Sequence, residues 1–522
     1  MPEALSRRSF LRYGAGAVAG SMVSHPVGAQ HAAPLPKAPE FDLEEVTIGQ
    51  LQESMRTGAR TSRSICAAYL ARIAELDPKL HAVLETNPDA LVVADRLDAE
   101  RKARHVRGPL HGIPVLVKDN IATVDRMMTT AGSLALAGVT PPRDAPLILR
   151  LRAAGAVILG KTNLSEWANI RSNQSSSGWS ARGGQCANPY ALDRNPCGSS
   201  SGTGAAVSAN FAAVGIGTET DGSIVCPSGA CSLVGVKPTV GLIDGAGIIP
   251  IAHSQDTAGP MARTVADAAA LLGVLAGRDY SASLDPAGLR GARIGVARKK
   301  FFGYSPEADA LVETAIGVLK AQGAVIVDPA DIPHAGEYDD SELVVLLYEL
   351  KADLATYLAT WAPDARVKSL ADVIAFNEAN KTQEMPYFGQ ELFLQAQEKG
   401  PLTDQTYRDA LAKDQRLSRV EGLDVVFAQH NLDAIVAPTG SPPWPTDLIN
   451  GDHFLGASST PAAVAGYPSI AVPVGYTFGL PVGMSFIGRA NSEATLLKQA
   501  YAYEQAAKPR KPPRFLSQWR AD

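Results

Sequence analysis

The sequence predicts an α/β fold, a central mixed and twisted β-sheet covered by α-helices on both faces. Three observations carry this expectation. Short apolar runs of strand length alternate with longer segments of helical period. Those runs end at Gly, Pro, Asn or Asp, the residues that turn a chain. Apolar residues make up 46% of the 522, enough for a large core in one domain or two.

The elements follow in order. From Thr61, the apolar residues Ile65, Tyr69, Ile73 and Leu76 recur at helical spacing, and Asp77-Pro78 is expected to stop that helix because proline lacks an N–H. A highly charged helix follows over 88–105. Ile113-Pro114-Val115-Leu116-Val117 reads as a short strand that ends at Lys118-Asp119-Asn120. A helix over 146–154 is closed by Gly155, and the strand 156–159 runs into Gly160-Lys161-Thr162-Asn163. Residues 202–213 read as a helix whose small side chains permit close packing, and 214–217 as a strand entering the loop 218–223. An Ala/Leu helix over 263–276 and a buried strand over 292–297 come next. From about 341 to 400 the chain reads as mostly helical, and Trp361, Phe376, Tyr387, Phe388 and Phe393 there either fill the core or line a substrate channel. Strands at 433–439 and 469–474 and a helix at 493–506 complete the chain, in which no internal repeat is visible.

Composition excludes several classes. The formal charge is −5, from 48 basic and 53 acidic residues, and no basic run exceeds Arg298-Lys299-Lys300, so nucleic acid is not an expected partner. Small molecules or peptides fit better. The nine histidines show no close ligand spacing and no Cys-x-x-Cys pair occurs, so neither a metal nor another cofactor is expected. Five cysteines, an odd number, are too few for a disulfide framework and read as small buried residues, with any pairing left open. The N-terminus differs from the rest. Ser6-Arg7-Arg8-Ser9-Phe10-Leu11-Arg12, the weakly apolar 14–23 and Val27-Gly28-Ala29 read as a twin-arginine export signal over 1–29 and place the mature protein in the periplasm or outside the cell. Its apolar part is too short to span a bilayer, so no stable membrane insertion is expected. Pro-rich residues 30–40 read as a linker, and 41–522 as the folded domain. Oligomeric state is not legible.

The chemistry concentrates between Gly198 and Ser223, where two hydroxyl-bearing loops flank an apolar helical return. Gly198-Ser199-Ser200-Ser201-Gly202 matches Gly-x-Ser-x-Gly, but a nucleophile elbow needs a strand running into the turn, and Asp193-Arg194-Asn195-Pro196-Cys197 supplies a turn instead. Ser-x-x-Lys occurs nowhere. Lys118, at the end of an apolar strand, is the remaining candidate base. Desolvation there lowers a lysine pKa toward the neutral amine that a general base must be.

Lys118-Asp119-Asn120, Pro196-Cys197-Gly198-Ser199-Ser200-Ser201-Gly202 and Gly217-Thr218-Glu219-Thr220-Asp221-Gly222-Ser223-Ile224 together resemble the amidase signature family. Val236-Lys237-Pro238-Thr239, Asp256-Thr257-Ala258-Gly259-Pro260 and Leu480-Pro481-Val482-Gly483-Met484 continue the likeness over nearly the whole mature chain. The resemblance implies the amidase signature fold, Ser223 as nucleophile, Ser199 as a bridging serine joined to Gly198 by a cis peptide, and Lys118 as base. It also implies an oxyanion hole from the backbone N–H groups of Thr220, Asp221, Gly222 and Ser223, with Ser200 supporting the hydroxyl network.

By the same resemblance, Lys118 draws a proton through Ser199 from Ser223, which attacks the amide carbonyl and becomes acylated. The reverse relay protonates the leaving nitrogen, and water then releases the acid. Asp221 and Val225 depart from the commonest pattern, which has glycine and arginine there. Those departures, with Gln255-Asp256-Thr257-Ala258-Gly259-Pro260, resemble the bacterial peptide amidases, which release ammonia from C-terminal peptide carboxamides. Hydrolysis of aryl amides, carbamates or esters by the same triad is the alternative. A glutamine-hydrolysing amidotransferase subunit is more remote, given the export signal and Val225.

Overall fold

A computed structural model describes residues 40–520 of the chain. The export signal at 1–29 and nearly all of the linker at 30–40 lie outside the described residues. The frame is one sheet of eleven strands: β1 (Val83–Thr86), β2 (Pro114–Lys118), β3 (Val157–Thr162), β6 (Val214–Glu219), β7 (Val234–Lys237), β8 (Thr257–Ala262), β9 (Arg293–Val296), β10 (Val325–Val327), β11 (Ala434–Pro438), β12 (Ser469–Thr477) and β13 (Leu480–Ile487). Two short strands, β4 (Trp179–Ser180) and β5 (Gly184–Gln185), form a separate hairpin. The spatial order is β1-β3-β2-β6-β8-β7-β12-β13-β11-β9-β10. β2 runs parallel to β3 and β6, and β9 parallel to β10 and β11, while the centre is antiparallel, so the sheet is mixed.

Burial explains why the sequence pattern works. β2, β3, β6, β7, β8, β11 and β13 are buried along their whole lengths, so they read as continuous apolar runs rather than alternating ones. The edge strands β1 and β10 are short and partly exposed, the usual protection against edge-to-edge pairing. The helix Ser62–Leu80 starts at a capping box between Thr61 and Ser64 and buries Ile65, Tyr69, Ile73 and Leu76. Contrary to expectation it runs through Pro78. In the last turn proline costs only one hydrogen bond, and the Asp77 carboxylate takes the Ala82 N–H at 2.7 Å, which secures the exit.

The helix expected over 202–213 is shorter, Ser201–Ser208, and buried throughout. Its glycines have a packing reason: a Cβ on Gly202 would lie 2.6 Å from the backbone N of Asn163. Residues 341–400 are helical as expected, in Asp339–Trp361, Leu370–Ala379, Lys381–Glu384 and Glu391–Gln397. Tyr348, Phe388 and Phe393 are buried, whereas Tyr387 is 47% exposed. Among the described residues, no helix is long and apolar enough to cross a membrane.

Candidate active site

Lys118, the last residue of β2, points its whole side chain into the protein and is fully buried. Its Nζ lies 2.8 Å from Ser199 Oγ, 3.1 Å from Ser200 Oγ, 2.9 Å from Thr218 Oγ1 and 3.3 Å from the Thr218 carbonyl oxygen. Parallel pairing of β2 with β6 brings these groups together, since Thr218 sits near the end of β6. Burial pushes the Lys118 pKa down to about 7 against the pull of Asp256 and Glu219. Low pKa alone does not single it out. Lys161 and Lys237 are also buried and lowered to about 8, but Lys161 Nζ donates to the Ile121 carbonyl and Thr129 Oγ1, each at 2.7 Å, with no serine in reach.

Ser199 follows a cis peptide bond from Gly198. Its carbonyl accepts the Ser165 N–H at 3.0 Å, which fixes the loop. Ser200 is buried and ties the site together rather than facing solvent. Its Oγ donates to the Thr218 carbonyl at 3.0 Å and accepts the Thr218 N–H at 3.2 Å, while its N–H donates to the Ser223 carbonyl at 3.1 Å. A Cβ on Gly217 would lie 2.7 Å from that same Ser200 Oγ, so glycine is required beside it. Asn120 Nδ2 donates to Thr218 Oγ1 at 2.9 Å and orients that hydroxyl.

Ser223 stands in the loop between β6 and the helix Val225–Ala230, and it lines a cavity of about 620 Å³. Its hydroxyl makes no hydrogen bond to another described residue. Among the described residues, the backbone N–H groups of Thr220, Asp221, Gly222 and Ser223 likewise donate to no protein acceptor. The loop is held from outside instead. Glu219 Oε2 accepts the N–H groups of Ile224 and Val225 at 2.7 and 3.0 Å, and Thr220 Oγ1 donates to Asp256 Oδ1 at 2.6 Å. Asp256 Oδ2 takes the N–H groups of Ile251 and Ala252 at 2.8 and 3.0 Å. The left-handed position in the loop is Gly222, at φ 78°, so Asp221 does not meet the conformation that favours glycine. Its carboxylate accepts the Thr460 hydroxyl at 2.7 Å.

Two readings that the sequence leaves open meet observations here. The cavity is lined by residues 168–177, 197–198, 221–226 and 444–460, and none of its lining residues comes from 341–400. Those helices buttress the wall from behind: Glu391 Oε1 accepts from Ser172 Oγ at 2.7 Å and from Asn173 N at 2.5 Å. The cysteines also divide differently. Cys66, Cys186 and Cys231 are free and buried, but Cys197 and Cys226 form a disulfide across 6.0 Å between Cα atoms. It ties the strand of chain before Ser199 to the helix after Ser223. Closing a 29-residue loop restricts the unfolded chain by about 3 to 4 kcal/mol. Replacing both cysteines by serine is therefore expected to lower unfolding stability on that order, read from the urea midpoint and slope. An unchanged midpoint would show that the crosslink adds nothing.

Sequence reasoning missed Thr218, Glu219 and Asp256 as parts of the site, although all three stand inside the motifs. Nothing in their residue types separates a clamp from a strand end. A group of metal-ligand type at His253, Glu349 and Asp353 was also not foreseen, because its members are distant in sequence. Its carboxylates are already engaged, by Tyr407 OH at 2.7 Å and by the Ser254 and His253 N–H groups, and none of the three lines the cavity with Ser223.

The family model for amidases matches residues 64–497. The chain belongs to the amidase family. It is an enzyme that hydrolyses carbon–nitrogen amide bonds. This amidase is similar to the native peptide amidase of Stenotrophomonas maltophilia, with 51% identity, a TM-score of 0.88, and coverage of 91% of this chain and all of that one. A peptide amidase in complex with the competitive inhibitor chymostatin gives 52% identity at the same TM-score and coverage. A probable amidase of Arabidopsis thaliana is 42% identical over 502 residues, 91% of this chain and 93% of that protein. The mixed sheet flanked by helices is thus the amidase signature fold.

Proposed function

We propose that this amidase cleaves the C-terminal carboxamide of peptides, releasing ammonia, with Ser223 as nucleophile, Ser199 as proton relay and Lys118 as base. One observation carries the catalytic part: a fully buried lysine amine, brought to about pH 7, lies 2.8 Å from the Ser199 hydroxyl beside a cavity that holds a second serine. A neutral amine has two N–H bonds and one lone pair. Ser200 Oγ, whose proton goes to the Thr218 carbonyl, that carbonyl and Thr218 Oγ1 share the two N–H bonds, and the lone pair is assigned to the O–H of Ser199, the nearest of the four neighbours at 2.8 Å.

In the reaction, Lys118 takes the Ser199 proton as Ser199 takes that of Ser223, and Ser223 Oγ adds to the carboxamide carbon. The Ser199 to Ser223 contact closes as substrate binds, a common behaviour of catalytic hydrogen bonds. The unengaged N–H groups of residues 220–223 receive the oxyanion; one such donor contributes about 10² to 10³ in rate. Lys118 returns its proton through Ser199 to the departing nitrogen, ammonia leaves, and water repeats the cycle to free the peptide acid.

The choice of peptide amides is supported by the likeness to the Stenotrophomonas enzyme. It is tested by offering a dipeptide amide and an aryl amide and comparing release of ammonia with release of aryl amine. A kcat/KM at least about tenfold higher for the peptide amide is expected, a gap of about 1.4 kcal/mol in transition-state binding. Preference for the aryl amide would replace this reading with the arylamidase one. Export through the twin-arginine pathway is part of the same proposal. It is supported by the motif at 6–12 and fits a disulfide, which persists in oxidising compartments. Fractionation of cells carrying Arg7→Lys and Arg8→Lys together should find the enzyme retained inside.

A further inference from the structure

The cavity beside Ser223 has a charge pattern that the chemistry at Ser223 does not require. Two of its lining residues are acidic, Asp221 and Asp452, and no Lys, Arg or His lines it. The two acids are not equivalent. Burial raises the Asp221 carboxyl above its usual value, and hydrogen bonds from Ser459 and Thr460 and the charge of the buried Lys237 pull against that rise. Asp452 is held only by neutral donors: the Ser177 N–H, 3.1 Å from each oxygen, Asn195 Nδ2 at 3.1 Å and Trp444 Nε1 at 3.1 Å. Among the described residues, no cation pairs with it. Burial raises the Asp452 carboxyl above its usual value, and the hydrogen bonds from Ser177 and Trp444 pull against that rise without cancelling the charge, so the field of the carboxylate extends into the cavity.

The wall next to Asp452 points the same way. Trp444, oriented by its bond to Asp452, meets Phe454 edge-on with ring centroids 5.8 Å apart, and both line the cavity. Aromatic faces attract cations and repel anions. The remaining polar lining, including Asn169, Ser172 and Gln174, consists of neutral groups suited to the hydrogen bonds of a peptide.

We propose that this cavity sorts peptide amides by charge, admitting those whose C-terminal residue is neutral or cationic and rejecting those in which it carries a carboxylate, with Asp452 as the residue that sets the discrimination. The inference rests on the peptide-amide reading above. It also bears on turnover, because the peptide acid produced at Ser223 is itself an anion and the same field favours its departure.

The test uses three N-acetylated dipeptide amides of similar size ending in lysine, methionine or glutamate, with the peptide acid quantified by mass spectrometry. The full-length enzyme is expected to show kcat/KM about tenfold lower for the glutamate amide than for the methionine amide, and equal or higher for the lysine amide. Raising ionic strength narrows the gap between glutamate and methionine, since a partly open cavity is screened by salt. Asp452→Asn, which retains an acceptor oxygen, is expected to narrow the same ratio about fivefold. Equal kcat/KM for glutamate and methionine amides, or a ratio insensitive to salt, overturns the inference in the native enzyme whether or not the variant folds. An unchanged ratio in folded Asp452→Asn removes Asp452 from it. Cleavage of an aryl amide with none of the three peptide amides cleaved overturns the substrate reading, and the charge sorting with it, whereas equal cleavage of all three overturns the sorting alone.

Discussion

Replacing Ser223 by alanine is expected to lower kcat for amides by about 10⁴- to 10⁶-fold, the range seen when a serine nucleophile is removed while the binding site and oxyanion donors stay in place. The fold should survive the change. Ser223 is 8% exposed at the cavity wall, its hydroxyl bonds to no described residue, and its carbonyl, which accepts from Ser200, is retained in alanine. Thermal unfolding unchanged from the parent therefore separates chemistry from structure. A fluorophosphonate or sulfonyl fluoride should label Ser223 in the parent and no other serine, read by peptide mass spectrometry. Label on Ser199 or Ser200, or an active Ser223→Ala variant, would require another nucleophile.

Removing the amine of Lys118 is expected to cost about 10² to 10⁴ in kcat/KM for amides, the usual contribution of a positioned general acid–base. The loss should be milder for esters. Ammonia must leave protonated, whereas an alkoxide or phenoxide leaving group needs less help. The native pH profile gives an independent check. The folded-state pKa is depressed to about 7, so the amine is neutral above that value and protonated below it. Amide kcat/KM should thus rise about tenfold per pH unit below 7 and level off above, and Lys118→Ala should abolish that limb. Persistence of the limb in the variant would assign it to another group, with Asp256, raised to about 6, the nearest candidate. Lys118→Met, which fills the same volume without an amine, guards against a collapse of the buried site.

Much of the frame was legible because its strands are buried on both sides. Runs such as Val115-Leu116-Val117 and Ile435-Val436-Ala437 then have no polar alternation to confuse them. Helix ends were less legible. Pro78 is a stop signal only where further turns depend on the missing N–H, and in a last turn secured by Asp77 it is tolerated. The role of 341–400 stays open between core and channel wall in sequence for a related reason: an aromatic side chain in either place reads alike. Here the cavity wall is built by the loops 168–177 and 444–460, whose Asn, Ser and Gly composition reads as ordinary surface loop.

The motifs by themselves determined which residues make up the candidate centre. Lys118, Ser199, Ser200 and Ser223 all follow from residue type, order and resemblance. Tertiary structure decided what those residues experience. The strand pairing of β2 with β6 carries Lys118 into a fully buried position against Ser199, Ser200 and Thr218, and that desolvation is what brings its amine near pH 7. The free N–H groups at 220–223, the tie between Cys197 and Cys226 and the unpaired charge of Asp452 are likewise products of packing. The physical reason is common to all of them. A residue's chemistry depends on its local dielectric and on the partners left to it, and both are set largely by segments distant in the chain, 81 residues apart for Lys118 and Ser199 and 275 for Ser177 and Asp452.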